Sequence, residues 1–252
     1  MKTEKIPDRN KTLWYLSKAK TVKEWFKVVK LIFKRYLYEV GLIKRPFDEL
    51  SIEINGLNIS FVPMWNELAS YNGIFTRNMY EPIPSFSTKN LSLIIDCGAN
   101  IGLFTLKAAT SGARKIFSLE PNPIAYRRLL KNIKENNLNN VIPCNVGLSS
   151  TPRKAKLSLH KKTSCGYLTS FSGEKEQNIV NVELTTLDNI VEQHNINSID
   201  LLKLDVEGSE YEALLGAIKS LGITKKLIFE YHSKELRDRC EKLLTSHCFK
   251  KI

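Results

Sequence analysis

From Leu91 onward the chain alternates short apolar runs with amphipathic stretches, and the runs end near acids or an amide. LSLIIDC (91–97), RKIFSLE (114–120), VIPCNV (141–146), IDLLKLD (199–205) and KKLIFEYH (225–232) read as strands buried on both faces. Between them, residues 102–111, 123–137, 209–221 and 234–246 read as helices, with Tyr126, Leu129, Leu130 and Ile133 expected inward on the second. A short helix is expected from Leu187, strand-like alternation fills 153–185, and CFKKI (248–252) is expected as a last strand. Strands alternating with helices of these lengths make βαβ units and a parallel sheet with right-handed crossovers.

Upstream the rhythm differs. LSIEINGLNISFV (50–62) alternates with period two around Asn55-Gly56, the signal of a tight β-hairpin. Residues 64–90, rich in Asn, Ser and Pro, are expected to be an irregular cover or entry loop. Before the hairpin, Trp25, Phe26, Val29, Ile32, Phe33, Tyr36, Leu37 and Val40 recur at helical spacing. Thr21 and Glu24 suit a capping box, and Gly41 suits a stop. A shorter helix is expected around Lys11–Lys20. The expected organisation is a basic amphipathic extension (1–45), a hairpin with cover loop (46–90) and a catalytic domain (91–252).

Charge separates these parts further. The chain carries a formal +12 over 252 residues, but residues 1–45 hold 13 Lys/Arg against 4 Asp/Glu, so the remainder is nearly neutral. Lys23, Lys27, Lys30 and Lys34 fall mainly on one side of the expected helix. Residues 21–40 therefore have three readings: packing on the domain, lying on an anionic membrane surface, or meeting a nucleic-acid backbone. No zinc finger, RNA-recognition signature or Arg-rich tract supports nucleic acid as a partner. No apolar run approaches the roughly 20 residues of a membrane span, and the N-terminus does not resemble a secretory signal. Five cysteines without a C-x-x-C pair suit reduced thiols. The expected location is cytoplasmic, with peripheral membrane contact as the alternative.

The strand ends carry the chemistry. In an open parallel sheet, ligands lie at the carboxyl ends of the strands. Those ends read Asp96, Glu120, Asn145, Asp205 and Glu230. The turn after the first strand, DCGANIG, is neither a dinucleotide fingerprint nor a phosphate loop, since Asn100 and Leu103 stand where glycines would be needed. An acid followed by a glycine-bearing turn suits the amino-acid end of S-adenosylmethionine better than a pyrophosphate. Glu120 lies 24 residues after Asp96, near the roughly 20-residue offset at which an acid grips a ribose diol. The carbonyl of the Asn145 side chain suits an adenine amine.

DCGANIG, the LEPNP containing Glu120, CNVGLSS, TLDNI and KLDVEGSE together resemble the FkbM family of S-adenosylmethionine-dependent methyltransferases, over roughly 60% of the chain. The resemblance implies a class I methyltransferase fold, an α/β Rossmann-like sheet of order 3-2-1-4-5 with further edge strands. It also implies S-adenosyl-L-methionine as cofactor and methyl transfer to oxygen on a sugar or polyketide. By the same resemblance, Asp96, Gly98, Ala99, Asn100, Gly102, Glu120, Pro121, Asn145, Val146 and Asp205 line the cofactor side. The chain ends soon after the expected sixth strand, so a full seventh is not expected: either the sheet is short at that edge, or a partner or the N-terminal segment covers it. The N-terminal helix is outside the family core.

The expected reaction is O-methylation of a hydroxyl on a glycan or related polyol, lipid-linked in one version. Asp205 or His232 is expected as the base, with Glu230 orienting it. A divalent ion on Asp205, Glu230 and His232 is a competing use of the same groups. With a single histidine there and no H-x-H spacing, no metal site is assigned. The amine-methylating signature of Asn/Asp-Pro-Pro-aromatic is absent after the fourth strand, where Asp205-Val206-Glu207-Gly208 stands. RNA or protein methylation and a cofactor-binding module without catalysis are the alternatives.

Overall fold

The structure is a computed structural model that describes residues 26, 29, 30, 33, 34, 36, 37, 40, 42, 50–54, 56–61, 65–81, 83–159, 166–168 and 179–251. It divides into two units, Met1–Leu68 and Ala69–Ile252. In the first, residues 26, 29, 30, 33, 34, 36 and 37 are helical, as the spacing of apolar positions predicts. The Val40 amide donates to the Tyr36 carbonyl at 3.0 Å and the Leu42 amide to Leu37 at 2.8 Å, bonds of the kind that close a helix end. Thr21, Gly41 and the expected helix around Lys11–Lys20 lie outside the described residues. The hairpin is present as β1 (Leu50–Ile54) and β2 (Leu57–Phe61), antiparallel, with Ile54 paired to Leu57 across the turn and Gly56 at φ +79°.

The second unit is built on five parallel strands, β3 (Leu93–Cys97), β4 (Lys115–Leu119), β5 (Val141–Cys144), β10 (Leu201–Leu204) and β11 (Leu227–Phe229). Their order is β11-β10-β3-β4-β5, all pairs parallel, which is the expected 3-2-1-4-5. Ile95, Phe117, Leu119, Leu202 and Leu204 form one continuous core, with Leu187, Leu214, Leu221 and Leu244 from the helices packed into it. The helices are α2 (Leu103–Thr110), α3 (Pro123–Glu135), α4 (Leu187–Gln193), α5 (Glu210–Leu215), α6 (Ile218–Gly222) and α7 (Lys234–Ser246). Asn122, Thr186 and Ser233 cap three of them by accepting from the Ile124, Asn189 and Leu236 amides.

Several sequence expectations need correction. Residues 64–90 are not simply irregular: Trp65–Tyr71 form α1, a π-helical turn follows over Asn72–Thr76, and Pro84–Phe86 form a 3-10 turn. Tyr71 and Phe75 stack four residues apart at 4.8 Å between ring centroids, a contact that composition does not reveal. The single helix expected over 209–221 is two helices. A Cβ on Gly216 would stand 2.1 Å from the Ser149 carbonyl oxygen, so the chain passes too close to a neighbouring backbone for an ordinary residue there. Leu130 is exposed and Asn132 is buried instead, its amide donating to the Ile101 carbonyl at 2.7 Å. CFKKI is not a strand in its described part. Cys248, at φ +65°, turns the chain back off α7, and the Phe249 amide bonds to Leu244.

The alternating segment between β5 and α4 forms a sheet of its own. Its strands are β6 (Gly147–Leu148), β7 (Arg153–Leu159), β8 (Gly166–Leu168) and β9 (Ile179–Thr185), ordered β6-β9-β7-β8. Leu157, Val182 and Leu184 form its small core. Cys97, Cys144, Cys240 and Cys248 are free thiols, and no helix among the described residues is long and apolar enough to cross a membrane.

Candidate active site

The turn between β3 and α2 is held by its own backbone. The Gly98 and Ala99 amides both donate to the Leu119 carbonyl at 2.9 Å. Gly98 has φ +76°, and a Cβ on it would lie 1.7 Å from the Asp205 carbonyl oxygen. Only glycine lets β3 and the chain leaving β10 come this close. Asn100, at φ +52°, accepts the left-handed conformation and turns its amide to the Glu120 carboxylate at 2.7 Å. A Cβ on Gly102 would meet the Leu129 side chain at 2.5 Å, so Gly102 serves the close approach of α3.

A cleft opens at these carboxyl ends, about 680 Å³ including its solvent-open mouth. Gly98, Asn100, Glu120, Pro121, Val146 and Asp205 line it, all of them expected cofactor contacts. Leu119, Leu148, Leu157 and Leu184 supply an apolar wall, the last three from the second sheet. Glu207 and Ser209 border it too. Asp96, Ala99, Gly102 and Asn145 are not among its lining residues. Asn145 donates its amide to the Glu120 carbonyl at 2.8 Å and to the Pro121 carbonyl at 3.3 Å, so its side chain ties two strand ends together.

Glu120 is 7% exposed and accepts from the Asn100 and Asn122 amides. Burial pushes its carboxyl up to about 7, and those two amides offset only part of the effect. It therefore titrates near neutrality at the edge of the cleft.

Asp96 is fully buried, with the Lys203 ammonium 3.0 Å away and the Thr105 hydroxyl donating at 2.7 Å. Lys203 comes from the middle of β10, is itself almost fully buried, and also donates to the Gly98 carbonyl at 3.1 Å. Burial alone would lower its pKa, but Asp96 and Asp205 outweigh that and hold the ammonium charged well above the ordinary lysine range. The charge is further shared with the rings of Tyr80 and Phe104, whose centroids lie 5.2 and 5.9 Å away.

Asp205, Glu230 and Tyr80 form a second group. The Tyr80 hydroxyl lies 3.0 Å from Asp205 and 3.3 Å from Glu230, and Lys203 stands 3.7 Å from Asp205. Tyr80 is buried and its phenol is held protonated, burial being the main cause. One hydroxyl proton serves one carboxylate at a time. Burial and the neighbouring Asp205 raise the Glu230 carboxyl above its ordinary range. Neither Tyr80 nor Lys203 was expected from the sequence. Lys203 had a signal, a lysine inside an otherwise apolar strand, whereas Tyr80 had none.

His232 is placed differently from what a base requires. Its Nδ1 is 2.9 Å from Glu210 and its Nε2 is 3.3 Å from Glu207. The hydrogen bonds to these carboxylates push its pKa up to about 10, so at neutral pH it is an imidazolium with no lone pair to offer. Glu207, at φ +51°, and Gly208 make the turn that brings the Glu207 carboxylate to the ring. Asp205, Glu230 and His232 do present ligand atoms within 4.8 Å of one another. The adjacent Lys203 charge and the protonated imidazole both oppose a cation there.

A parallel sheet of this strand order, with a glycine turn after its first strand and an acid after its second, defines a class I methyltransferase fold. The chain belongs to the FkbM methyltransferase family: the family model described as a methyltransferase FkbM domain matches residues 96–247. The methyl donor of that family is S-adenosylmethionine. The chain is 32% identical over 181 residues to "Methyltransferase sdnD" of Sordaria araneosa, covering 58% of this chain and 67% of the relative. It is 29% identical over 146 residues to "Hexuronic acid methyltransferase AglP" of Haloferax volcanii, covering 55% of each. Among solved structures, M. jannaschii TYW2 in complex with AdoMet matches with a TM-score of 0.44 and 19% identity, over 79% of this chain and 71% of that one.

Proposed function

We propose that the protein transfers a methyl group from S-adenosylmethionine to a hydroxyl oxygen of a glycan or related polyol. The observation that carries this reading is the pair Asp205 and Glu230 joined through the Tyr80 hydroxyl beside the cleft. The cleft fits the cofactor: a turn in which a side chain at Gly98 would collide with backbone, a half-apolar slot, and Glu120 at the edge with lone pairs left for a diol. Gly98, Asn100, Glu120, Pro121 and Val146 would hold it. When bound, it supplies an electrophilic methyl group on a sulfonium.

The residues of the chain then have three tasks. Asp205 takes the acceptor proton as the hydroxyl oxygen becomes a nucleophile. Tyr80 and Lys203 fix the orientation of Asp205, through a hydrogen bond and an ammonium respectively. Glu230 is the proton's second station across Tyr80. The absence of an amine-methylating signature and the sugar-directed relative support oxygen on a carbohydrate as the target.

Incubation with methyl-labelled cofactor and fractionated glycans, lipids and RNA tests the acceptor. Label in an alkali-stable ether of the glycan fraction is the expected result; label in RNA or protein alone overturns it. Asp205→Asn should lower turnover by about 10²–10⁴-fold while calorimetry still detects cofactor binding.

A further inference from the structure

Large apolar side chains of the first unit face solvent: Phe26, Phe33, Tyr36, Val40 and Leu42 are 48–72% exposed. At 3.6 residues per turn, Phe26, Val29, Phe33, Tyr36, Leu37 and Val40 project into one arc roughly 100° wide. Lys30 and Lys34 lie on the flank of that arc, and Lys23 and Lys27 continue the same spacing in the sequence. Residues 1–45 as a whole carry 13 Lys/Arg against 4 Asp/Glu.

Each candidate occupant of this face makes a different demand. A second copy would bring two lysine flanks together, which like charge opposes. A nucleic-acid backbone uses the lysines and leaves the apolar arc exposed. A bilayer rich in anionic headgroups uses both, with aromatic and aliphatic groups entering the acyl boundary and ammonium groups staying at the phosphates.

We propose that the helical residues 26, 29, 30, 33, 34, 36 and 37, with Val40 beyond them, dock the protein onto an anionic membrane surface, apolar arc inward. This does not depend on which acceptor is methylated.

The test is flotation of the full chain with vesicles of equal parts phosphatidylcholine and phosphatidylserine, beside vesicles of phosphatidylcholine alone. The wild type should float with the anionic vesicles and stay behind with the neutral ones. Each basic residue near such a surface contributes about fivefold in partitioning, so Lys30→Ala/Lys34→Ala should bind roughly 25-fold more weakly. Phe26→Ser/Phe33→Ser should abolish flotation. Both variants change exposed or half-buried residues far in sequence from the cleft, and unchanged S-adenosylmethionine affinity by calorimetry shows that they are folded. The proposal is overturned if the wild type fails to float, or if the phenylalanine variant floats undiminished. It is equally overturned if sedimentation shows a dimer that the phenylalanine variant dissociates, with no flotation of the wild type.

Discussion

Two clusters of opposite charges stand at the carboxyl edge of the parallel sheet, and they behave differently. In the first, Lys203 and Asp96 are both buried, 3.0 Å apart, with Thr105 completing the acid's shell. In the second, His232 sits between Glu207 and Glu210, with 32% of its side chain still exposed. The dry pair is a structural commitment, because neither charge has water to fall back on. The wetter triad can exchange partners and titrate within reach of ordinary buffers. Both clusters take up groups that residue type alone would assign to chemistry. Asp96 is occupied by Lys203 and His232 by two acids, which leaves Asp205 and Glu230 beside the cleft. The role of an ionisable side chain at a strand end follows from its partners more than from its identity.

The strongest challenge to this contrast is Lys203→Met. Removing one member of a buried ion pair takes away the counter-charge of the fully buried Asp96, a change that typically costs about 3–5 kcal/mol. Urea denaturation should show a loss of that size. Asp96→Leu/Lys203→Met should recover much of it, since replacing both members of a buried pair with apolar groups is often neutral. If Lys203→Met is as stable as wild type, the pair is not the dry commitment described here.

Glu120 is a further buried ionisable group, on the cofactor side of the cleft. Its carboxyl titrates near pH 7 because burial raises it. A carboxylate accepts from a ribose diol better than a carboxylic acid does. Cofactor affinity should therefore be full above pH 7 and weaken below it, by at most about tenfold per pH unit. Calorimetry across that range measures it, and Glu120→Gln should flatten the dependence. A flat wild-type profile would remove Glu120 from the binding step.

The parallel sheet was legible in the sequence, because five apolar runs ending near polar residues are best buried in a sheet covered on both faces, whereas its strand order came only from the family resemblance. Glu120, Asn100 and Gly98 were legible for a related reason: their positions follow from where strands end. Tyr80 was hidden, because it reaches Asp205 and Glu230 from 125 and 150 residues away, and no local pattern encodes so distant a contact. Asp96 and His232 were found as residues, but their partners were not. Lys203 and Glu210 meet them only once β10, α5 and the end of β11 are laid side by side. The close pass of Gly216 against Ser149 was invisible for the same reason, since the Ser149 carbonyl belongs to another segment.

The smallest effect is expected at the wetter cluster, and pH makes it readable. The folded-state pKa of His232 is raised from 6.5 to about 10 by Glu207 and Glu210. A histidine whose pKa is raised by folding stabilises the protein fully below its unfolded pKa, and the contribution disappears as pH rises through the folded value. Comparing wild type with His232→Gln in urea should therefore give a stability difference that is largest near pH 6 and shrinks steadily toward pH 10. Partly exposed ion pairs are generally worth under about 1 kcal/mol, so the difference will be modest. Gln keeps a donor for the buried Glu210, which isolates the loss of charge from the loss of a hydrogen bond. The imidazole signals in a proton NMR titration provide a second readout: His232 should remain protonated through pH 8, well above its ordinary 6.5. If its signal moves near 6.5 instead, the imidazole is neutral at physiological pH. The base assigned to Asp205 would then have a competitor.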